Sequence, residues 1–336
     1  APALLAALAR PAGRPAPTAR SSRVLTGEQS NTSVIVATDD EPVIVKVFRT
    51  LHPGANPDVD VLRALAGSDQ VPGVVGWLAG TWRSAGGSDE TGHLAVATEF
   101  VADGQDAWRE AVAAVDEGRG FTGQAREVGT AAARLHQDLA RAFGTTPADP
   151  AARDSLVGAL RGRITWALRS TDALARHRAA LGALAERLDL TDLPALQRVH
   201  GNYHLGQVLH SPRRGWVVLD CEGEPLRPLA DRTGPDLALR DVAGMLRSFD
   251  YAAGQVRVRA QDPAEVAAAE SWAHAAREAF CDGYAAAAGA DPRDRADLLG
   301  ALELDKALYE VVYEAGNRPD WVDVPLGAVD RLLAGR

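Results

Sequence analysis

The sequence predicts an α+β fold in which a β-rich N-terminal part precedes a larger, mainly helical C-terminal part. Two observations predict it. Short runs of β-branched residues separated by turn residues fill the first third of the chain. Ala/Leu/Arg-rich segments with helical periodicity follow, interrupted by one strand–loop–strand unit at 197–221. The chain has 336 residues and is 46% hydrophobic, which suits two parts of roughly 150 residues each.

The N-terminal part, residues 1–101, is expected to form a small lobe of strands. The strand candidates are 23–25, 33–37, 42–48, 74–82 and 93–100. Asn56-Pro57-Asp58 has the residue types that begin helices, so a helix is expected at 59–66. A hinge near 99–104 should lead into the C-terminal part, residues 102–336. Its expected helices are 125–142, 173–188, 239–252, 264–288, 293–315 and 326–333.

Composition excludes several classes of protein. The net charge of -9 argues against a nucleic-acid partner, since phosphate backbones attract basic surfaces. The two cysteines, Cys221 and Cys281, form neither a disulfide framework nor a zinc motif. No segment has the ~18 to 20 apolar residues that cross a bilayer, and the apolar run within 1–17 is too short for a secretory signal. A soluble, cytoplasmic monomer without a membrane partner is therefore expected.

Lysine is rare in this chain. Of the 36 basic residues, only Lys46 and Lys306 are lysines. Lys46 lies inside the apolar strand 42–48, where an unpaired charge is costly. A lysine that reaches solvent from an edge strand is the structural alternative; the functional alternative is a lysine that grips phosphate groups.

The strand–loop–strand unit contains a polar loop and an acidic strand end. The loop is His200-Gly201-Asn202-Tyr203-His204-Leu205-Gly206-Gln207, and the strand is Trp216-Val217-Val218-Leu219-Asp220. These segments resemble the catalytic loop and metal-binding segment of the aminoglycoside-phosphotransferase-like kinases, which have His-Gly-Asp, an amide five positions later, and an apolar strand ending in Asp. The resemblance implies a protein-kinase-like two-lobed fold with a β-rich N-lobe and a mainly helical C-lobe.

The same resemblance implies ATP and Mg²⁺ as cofactors and assigns roles to single residues. Gln207 and Asp220 match the metal-ligand positions, since Mg²⁺ prefers oxygen ligands. Taken singly, each could instead be an ordinary loop or strand-end residue. Asp241 is interpreted as an acid that supports the loop backbone, His200 as a loop-packing histidine, and Cys221 as a small buried residue.

The N-lobe is expected to hold the nucleotide. Lys46 would bind the α- and β-phosphates and pair with an acid on the following helix, with Asp60 preferred over Asp58. The turn at 27–32, which contains Ser30, would cover the phosphates. It lacks the full Gly-x-Gly-x-x-Gly pattern, so an ordinary hairpin is the alternative. Glu99 and Val101 would bind adenine through backbone groups.

A second motif concerns the acceptor. Residues 303–321, together with 223–229, 247–251, 53–58 and Gly76-Trp77, resemble maltokinases. Maltokinases have His-Gly-Asp and Asp-Phe-Glu where this chain has His200-Gly201-Asn202 and Asp220-Cys221-Glu222. This paired variation resembles the glucosamine kinase branch related to maltokinases. It implies a small-molecule sugar substrate and transfer of the ATP γ-phosphate to the 6-hydroxyl of glucosamine.

One helix face of the 303–321 segment is acidic. Glu310 and Glu314 lie one turn apart, and like charges at this spacing are destabilising by roughly 0.2–0.5 kcal/mol. With Trp321 nearby, this face is interpreted as the wall of a sugar pocket, in which carboxylates hold hydroxyl or ammonium groups and the ring stacks on the sugar. The alternative is a solvated stripe in which Lys306 pairs with Glu303 and Glu310.

Asn202 leaves the proton acceptor open. An amide can orient the acceptor hydroxyl but cannot take its proton, whereas His204 or a water near Asp220 could receive the proton late in the reaction. Asn202, His204 and Asp220 are therefore the catalytic candidates, and Asn202 and His204 are also expected to contact the substrate. A maltokinase and a catalytically silent sugar- or nucleotide-binding protein are the alternative functions.

Overall fold

The computed structural model describes residues 2–25, 31–224, 229–260 and 262–335. Its chain divides into two compact units. The first unit is Ala1–Gln105 with Leu209–Thr233, and the second is Asp106–Val208 with Gly234–Arg336. The first is built mainly on strands and the second mainly on helices, which confirms the predicted α+β class.

The elements are numbered in chain order. The strands are β1 (Ala19–Val24), β2 (Asn31–Thr38), β3 (Val43–Phe48), β4 (Val74–Arg83), β5 (Asp89–Glu99), β6 (Gln105–Asp106), β7 (Thr145–Thr146), β8 (Leu196–Gln197), β9 (Val208–Ser211) and β10 (Gly215–Val218). The helices are α1 (Pro2–Ala9), α2 (Pro57–Ala64), α3 (Ala107–Asp116), α4 (Thr122–Phe143), α5 (Pro150–Ser170), α6 (Arg178–Arg187), α7 (Leu229–Thr233), α8 (Ala238–Arg259), α9 (Pro263–Ala288), α10 (Ala296–Asn317) and α11 (Asp323–Ala334).

An antiparallel sheet of the order β1-β2-β3-β5-β4 forms the body of the first unit. The β-branched run of β3 lies between β2 and β5, with Lys46 opposite Ser33 on one side and Val96 on the other. Helix α1, which was not predicted, packs Leu5 and Leu8 into the core beneath this sheet. The apolar residues of α1 do not by themselves predict a helix that packs against a sheet, because the strands of that sheet come later in the chain.

Helix α2 begins as its sequence predicts. The side chain of Asn56 accepts a hydrogen bond from the Asp58 N–H at 2.9 Å, and Pro57 is the first helical residue. Proline fits this position because the first turn lacks an internal partner for its N–H. The cap fixes which residues of the first turn face the sheet.

The β9–β10 hairpin belongs to the first unit because its residues bond to that unit. Arg213 Nε binds Asp103 at 2.9 Å and Ser211 Oγ binds the same carboxylate at 3.0 Å. The Val218 N–H donates to the Gln70 carbonyl at 2.7 Å. The expected single boundary after residue 101 differs from this arrangement, because such long-range pairings are not visible in local sequence patterns.

The helical unit is held by close helix packing. On α4 and α9, Gly129 and Gly283 lie where the two backbones nearly touch: a Cβ on Gly283 would come within 1.9 Å of the Arg126 carbonyl oxygen. The expected helix at 173–188 is interrupted, with a 3₁₀ segment at Asp172–His177 before α6. Within the described ranges, no helix is long and apolar enough to cross a membrane.

Candidate active site

A charged cluster surrounds the strand lysine of the first unit. Lys46 Nζ lies 3.2 Å from Asp58 Oδ2 and forms a second ion pair with the Asp220 carboxylate. The lysine side chain is 21% exposed, Asp58 is 2% exposed and Asp220 is 32% exposed. The ammonium is therefore fixed from its buried side by Asp58, while its partner Asp220 remains reachable.

The predicted pairing of Lys46 with Asp60 is wrong, because Asp58 is the partner. Successive residues on an α-helix are rotated by about 100°, so Asp58 and Asp60 lie on nearly opposite faces of α2. The face that carries Asp58 is turned to the sheet, whereas Asp60 acts electrostatically on His93. The start of α2 was recognised from the sequence. The choice between Asp58 and Asp60 as the acid that faces the sheet also required the rotation of the helix about its axis, which the structure provides.

Asp58 also fixes the backbone beside Asp220. Its Oδ1 accepts a hydrogen bond from the Cys221 N–H at 3.2 Å. Asp220 itself has φ 56°, a left-handed conformation that few non-glycine residues adopt. One buried carboxylate thus positions both the lysine and the segment that presents Asp220. Cys221 is 2% exposed, as predicted for a small buried residue.

The hinge segment is fastened by the same hairpin. Arg214 forms an ion pair with the Glu99 carboxylate. The Glu99 N–H donates to the Gly73 carbonyl at 2.9 Å, and the Val101 carbonyl accepts from the Gly104 N–H at 3.1 Å. These two groups are committed to protein contacts, so adenine binding by Glu99 and Val101 stays a prediction that rests on their remaining backbone groups. Ser30 lies outside the described residues.

The polar loop of the second unit is anchored by an acid on α8. The His200 and Gly201 N–H groups each donate to the Asp241 carboxylate at 2.8 Å. Gly201 has φ 81°, which lets consecutive N–H groups point at one carboxylate. The predicted supporting role of Asp241 is confirmed, and His200, with no exposed surface, is a packing residue as predicted.

Two further side chains hold Asp241 in place. His136 Nε2 is hydrogen-bonded to Asp241 Oδ2 at 3.0 Å, and His136 Nδ1 is hydrogen-bonded to the Tyr284 hydroxyl at 3.0 Å. Burial raises the pKa of Asp241, but the hydrogen bond and charge of His136 outweigh it and hold the pKa below its usual range. The loop anchor is thus an ionised carboxylate. Sequence reasoning missed His136, because its partner is 105 residues away.

His204 is a weak base. Burial lowers its pKa to about 4, and the nearby positive charges of His200 and Lys306 act in the same direction. Its Nδ1 accepts the Gly206 N–H at 3.1 Å, so the neutral ring carries its proton on Nε2. This arrangement does not suit the predicted late proton acceptor, because no free ring nitrogen is left to take a proton near neutral pH. A hydrogen bond donated by Nε2 to a substrate oxygen fits it better.

The two expected metal ligands belong to different units, Gln207 to the second and Asp220 to the first. Their amide and carboxylate oxygens are donors that Mg²⁺ accepts, and Mg²⁺ commonly uses only one or two protein ligands beside phosphate oxygens and water. The accessible Asp220 carboxylate fits this role. No cluster of three or more acidic, histidine or cysteine ligands occurs among the residues that the structure describes.

The acidic face of α10 is buried rather than solvated. Glu314 is 1% exposed, and both of its oxygens are bound: Arg318 Nε reaches Oε2 at 2.9 Å, while Arg318 Nη2 and the Tyr251 hydroxyl reach Oε1. Its carboxylate is saturated by protein, so the structure disfavours the expected contact of Glu314 with sugar. Glu310 is 9% exposed and binds Arg247 at 2.9 Å.

Trp321 follows α10 in a 3₁₀ segment. Its ring stacks on Tyr251 with 6.3 Å between centroids, and the Arg318 guanidinium lies 5.0 Å from its centroid. The ring is half-buried, so one part of it remains available for stacking. Glu310 and Trp321 therefore remain candidates for acceptor binding.

The fold and these clusters define a class of protein. A β-sheet unit with a buried lysine–aspartate pair and a helical unit with an aspartate-anchored loop are the parts that phosphoryl transfer needs. The structure of the GDP complex of wild-type aminoglycoside 2'-phosphotransferase-IIIa superimposes with a TM-score of 0.52 at 12% identity, covering 95% of this chain and 94% of that one. That likeness shows a protein-kinase-like fold.

The sequence relationship is more specific. The chain belongs to the phosphotransferase enzyme family, whose model matches residues 21–298. A glucosamine kinase of Mycolicibacterium smegmatis is 31% identical over 342 residues, which cover 94% of this chain and 80% of the relative. A solved glucosamine kinase in complex with glucosamine, ADP and inorganic phosphate has a TM-score of 0.75 and 27% identity, covering 94% and 80% of the two chains.

Proposed function

We propose that this protein is an ATP-dependent glucosamine kinase that transfers the γ-phosphoryl group of ATP to the 6-hydroxyl of glucosamine with the aid of Mg²⁺. The observation that carries the proposal is the 31% identity to a glucosamine kinase along 94% of the chain. The Lys46 cluster and the Asp241-anchored loop supply the matching chemistry.

Lys46 binds the nucleotide phosphates in this proposal. Asp58 holds its ammonium from the buried side, so the lysine is already oriented before ATP arrives. In this proposal the Lys46 ammonium would bind phosphate oxygens and the Asp220 carboxylate would serve as a ligand of Mg²⁺, so each member of the observed ion pair would have a new partner. The other proposed nucleotide contacts are the backbone groups of Glu99 and Val101 and the turn that contains Ser30.

Gln207 and Asp220 would hold Mg²⁺. When bound, the ion neutralises charge on the phosphate oxygens during transfer. The left-handed backbone at Asp220 and the Asp58 hydrogen bond to the Cys221 N–H keep the Asp220 carboxylate in one orientation. In this proposal the backbone that carries Asp220 is preorganised for binding Mg²⁺.

Asn202 and His204 orient the acceptor hydroxyl. With a pKa of about 4, His204 is neutral at physiological pH and donates from Nε2. The backbone N–H of Asn202 donates to His200 Nδ1 at 3.3 Å, which fixes the loop at this residue. The side-chain amide of Asn202 would contact the acceptor hydroxyl. In a loose transition state the hydroxyl needs little early deprotonation, so orientation is sufficient and the proton passes to solvent late.

The first experiment measures ADP release with ATP, Mg²⁺ and glucosamine, N-acetylglucosamine, glucose, maltose or kanamycin. Strong preference for glucosamine, with glucosamine 6-phosphate identified by mass spectrometry and NMR, is expected. Preference for maltose would favour the maltokinase alternative. Binding of ATP or sugar by calorimetry without turnover on any acceptor would favour the silent binding protein.

A matched pair of variants tests the role of Asp220. Asp220→Asn should remove most turnover, because the amide carries no charge for the metal. Asp192→Asn is the control, since Asp192 has the same φ of 56° but is a surface residue paired with Arg295. Full activity of the Asp220 variant, or equal losses in both, would contradict the metal assignment.

Asn202→Asp tests whether orientation suffices. A carboxylate can still accept a hydrogen bond from the acceptor hydroxyl, so partial or full activity is expected. Complete loss of turnover would mean that the amide N–H₂ of Asn202 makes a contact that a carboxylate cannot replace. The measurement is kcat with saturating glucosamine and ATP.

A further inference from the structure

One face of helix α8 contacts the polar loop at three successive points. Asp241, Gly244 and Ser248 are spaced three and four positions apart, so they share one face of the helix. The loop runs along this face in the same direction as the helix, with its start at Asp241 and Leu205 at Ser248. The loop is therefore attached to α8 at both of its ends.

Gly244 lets the loop backbone come close to the helix. A Cβ at this position would lie 2.6 Å from the Tyr203 carbonyl oxygen, closer than such atoms approach in folded proteins. Tyr203 is itself buried. The backbone of the loop thus lies directly on α8 at Gly244, and the polar side chains of Asp241 and Ser248 on either side can reach its N–H groups.

Ser248 holds the second end of the loop. Its Oγ accepts a hydrogen bond from the Leu205 N–H at 3.1 Å, and both residues are buried. Leu205 begins the 3₁₀ turn that ends at Gln207. The other two N–H groups of the turn bind within the loop: Gly206 donates to His204 Nδ1 at 3.1 Å, and Gln207 donates to the His204 carbonyl at 2.9 Å. The Leu205 N–H is thus the donor through which α8 holds the turn.

We propose that Ser248 is a positioning residue that fixes the turn carrying Gln207, so that the Gln207 amide oxygen is oriented for the divalent cation that accompanies the nucleotide. Ser248 does not touch the cation in this arrangement. The residues of one 3₁₀ turn move together, so fixing the Leu205 N–H also fixes the backbone that carries Gln207. This inference rests on the proposed function, since it assigns a support to one of the two metal ligands proposed there.

Binding of Mn²⁺ tests the proposal, because Mn²⁺ takes the same oxygen ligands as Mg²⁺ and is observed by electron paramagnetic resonance. The whole chain is titrated with Mn²⁺ in the presence of ADP. Ser248→Ala should lower the affinity for Mn²⁺ about tenfold, the lower end of the range found when a residue that orients a metal ligand is replaced. Amide hydrogen exchange at Leu205 should be faster in the same variant, because the N–H has lost its acceptor.

Ser271→Ala is the matched control. The Ser271 hydroxyl donates to the Ala267 carbonyl of its own helix, α9, at 2.9 Å, so this variant loses a serine hydroxyl that does not bind the loop. It should leave the affinity for Mn²⁺ unchanged. Thermal unfolding of each variant shows whether it is folded. If Ser248→Ala does not fold, Ser248→Cys takes its place, because sulfur is only a weak acceptor.

Gln207→Ala shows whether Ser248 acts through Gln207. Asp220 remains in this variant, so the affinity for Mn²⁺ should fall but stay measurable, and adding Ser248→Ala should lower it no further. A full effect of Ser248→Ala in the Gln207→Ala background would overturn the proposal. So would an unchanged affinity for Mn²⁺ in either single variant, or equal losses in Ser248→Ala and Ser271→Ala.

Kinase assays with glucosamine separate this inference from the proposed function. Wild-type protein that binds Mn²⁺ with ADP but does not phosphorylate glucosamine contradicts only the proposed function. Wild-type protein that phosphorylates glucosamine but binds no Mn²⁺ with ADP overturns the metal assignment and the role of Ser248 with it.

Discussion

Asp58 provides a sharp test of how the first unit is built. Asp58→Ala removes an acid that is 2% exposed and that binds both Lys46 Nζ and the Cys221 N–H. Asp60→Ala removes an acid of the same helical turn that pairs with neither. The two variants have the same change in charge and in side-chain volume, so any difference between them reports the contacts of Asp58.

The magnitude follows from those contacts. Breaking a buried ion pair by removing one partner costs about 3–5 kcal/mol, and leaving a buried N–H without an acceptor costs about 1–3 kcal/mol. Lys46 is 21% exposed and retains Asp220, which reduces the first term. We expect the free energy of unfolding to fall by about 3 kcal/mol for Asp58→Ala and by less than about 1 kcal/mol for Asp60→Ala, the size of a helix-dipole contribution.

The assay is urea unfolding followed by circular dichroism, together with the KM for ATP. Asp58→Ala should also raise the KM for ATP, because the ammonium of Lys46 is no longer held from its buried side. Asp60→Ala should leave that KM nearly unchanged. Equal destabilisation by both variants, or a greater effect of Asp60→Ala, would refute the assignment of Asp58.

Three further predictions concern the helical unit. Gly283→Ala places a methyl group within 1.9 Å of the Arg126 carbonyl oxygen and should lower the free energy of unfolding in urea by about 1–3 kcal/mol. The control Gly158→Ala lies in open space on α5 and should raise the free energy of unfolding by up to about 1 kcal/mol. A greater loss of stability in Gly158→Ala than in Gly283→Ala would contradict the close α4–α9 crossing. Asp241→Asn presents an N–H₂ group or a single acceptor to two N–H donors, so kcat should fall at least about tenfold; unchanged kcat would show that the loop needs no ionised anchor. The pKa of His204, near 4 instead of 6.5, means that stability present above pH 6.5 is lost as the pH falls towards 4, and His204→Gln should remove that part of the urea stability profile.

Local patterns predicted most of the fold, and the failures have a common physical cause. The five strands of the large sheet and helix α2 were predicted from β-branched runs and a helix cap. Helix α1 was missed because its eight residues are too short for helical periodicity to be diagnostic. Its helical state is stabilised by the burial of Leu5 and Leu8, which depends on a sheet formed later in the chain.

The residues of the candidate site also divide into those that local sequence could predict and those that depend on contacts with distant parts of the chain. Lys46 could be proposed as a rare lysine inside an apolar strand, and Asp220 and Asp241 through the resemblance of the surrounding segments to the aminoglycoside-phosphotransferase-like kinases. The choice between Asp58 and Asp60 could not be made without knowing how α2 is rotated about its axis. The saturation of Glu314 was equally hidden, because Tyr251 lies 63 residues away in sequence.

The return of residues 209–233 to the first unit bears on how the chain is made. The sheet unit is assembled from two separate stretches of sequence, with the 103 residues of Asp106–Val208 synthesised between them. A ribosome therefore releases β1–β5 well before Arg213, Val218 and Asp220 exist to complete their contacts. The helical insert can begin to fold while the sheet unit is still unfinished, so the order of folding need not follow the order of translation. Exchange of the sheet unit between such proteins would likewise require three crossover points, at 105/106, 208/209 and 233/234, whereas a contiguous N-terminal unit would require one.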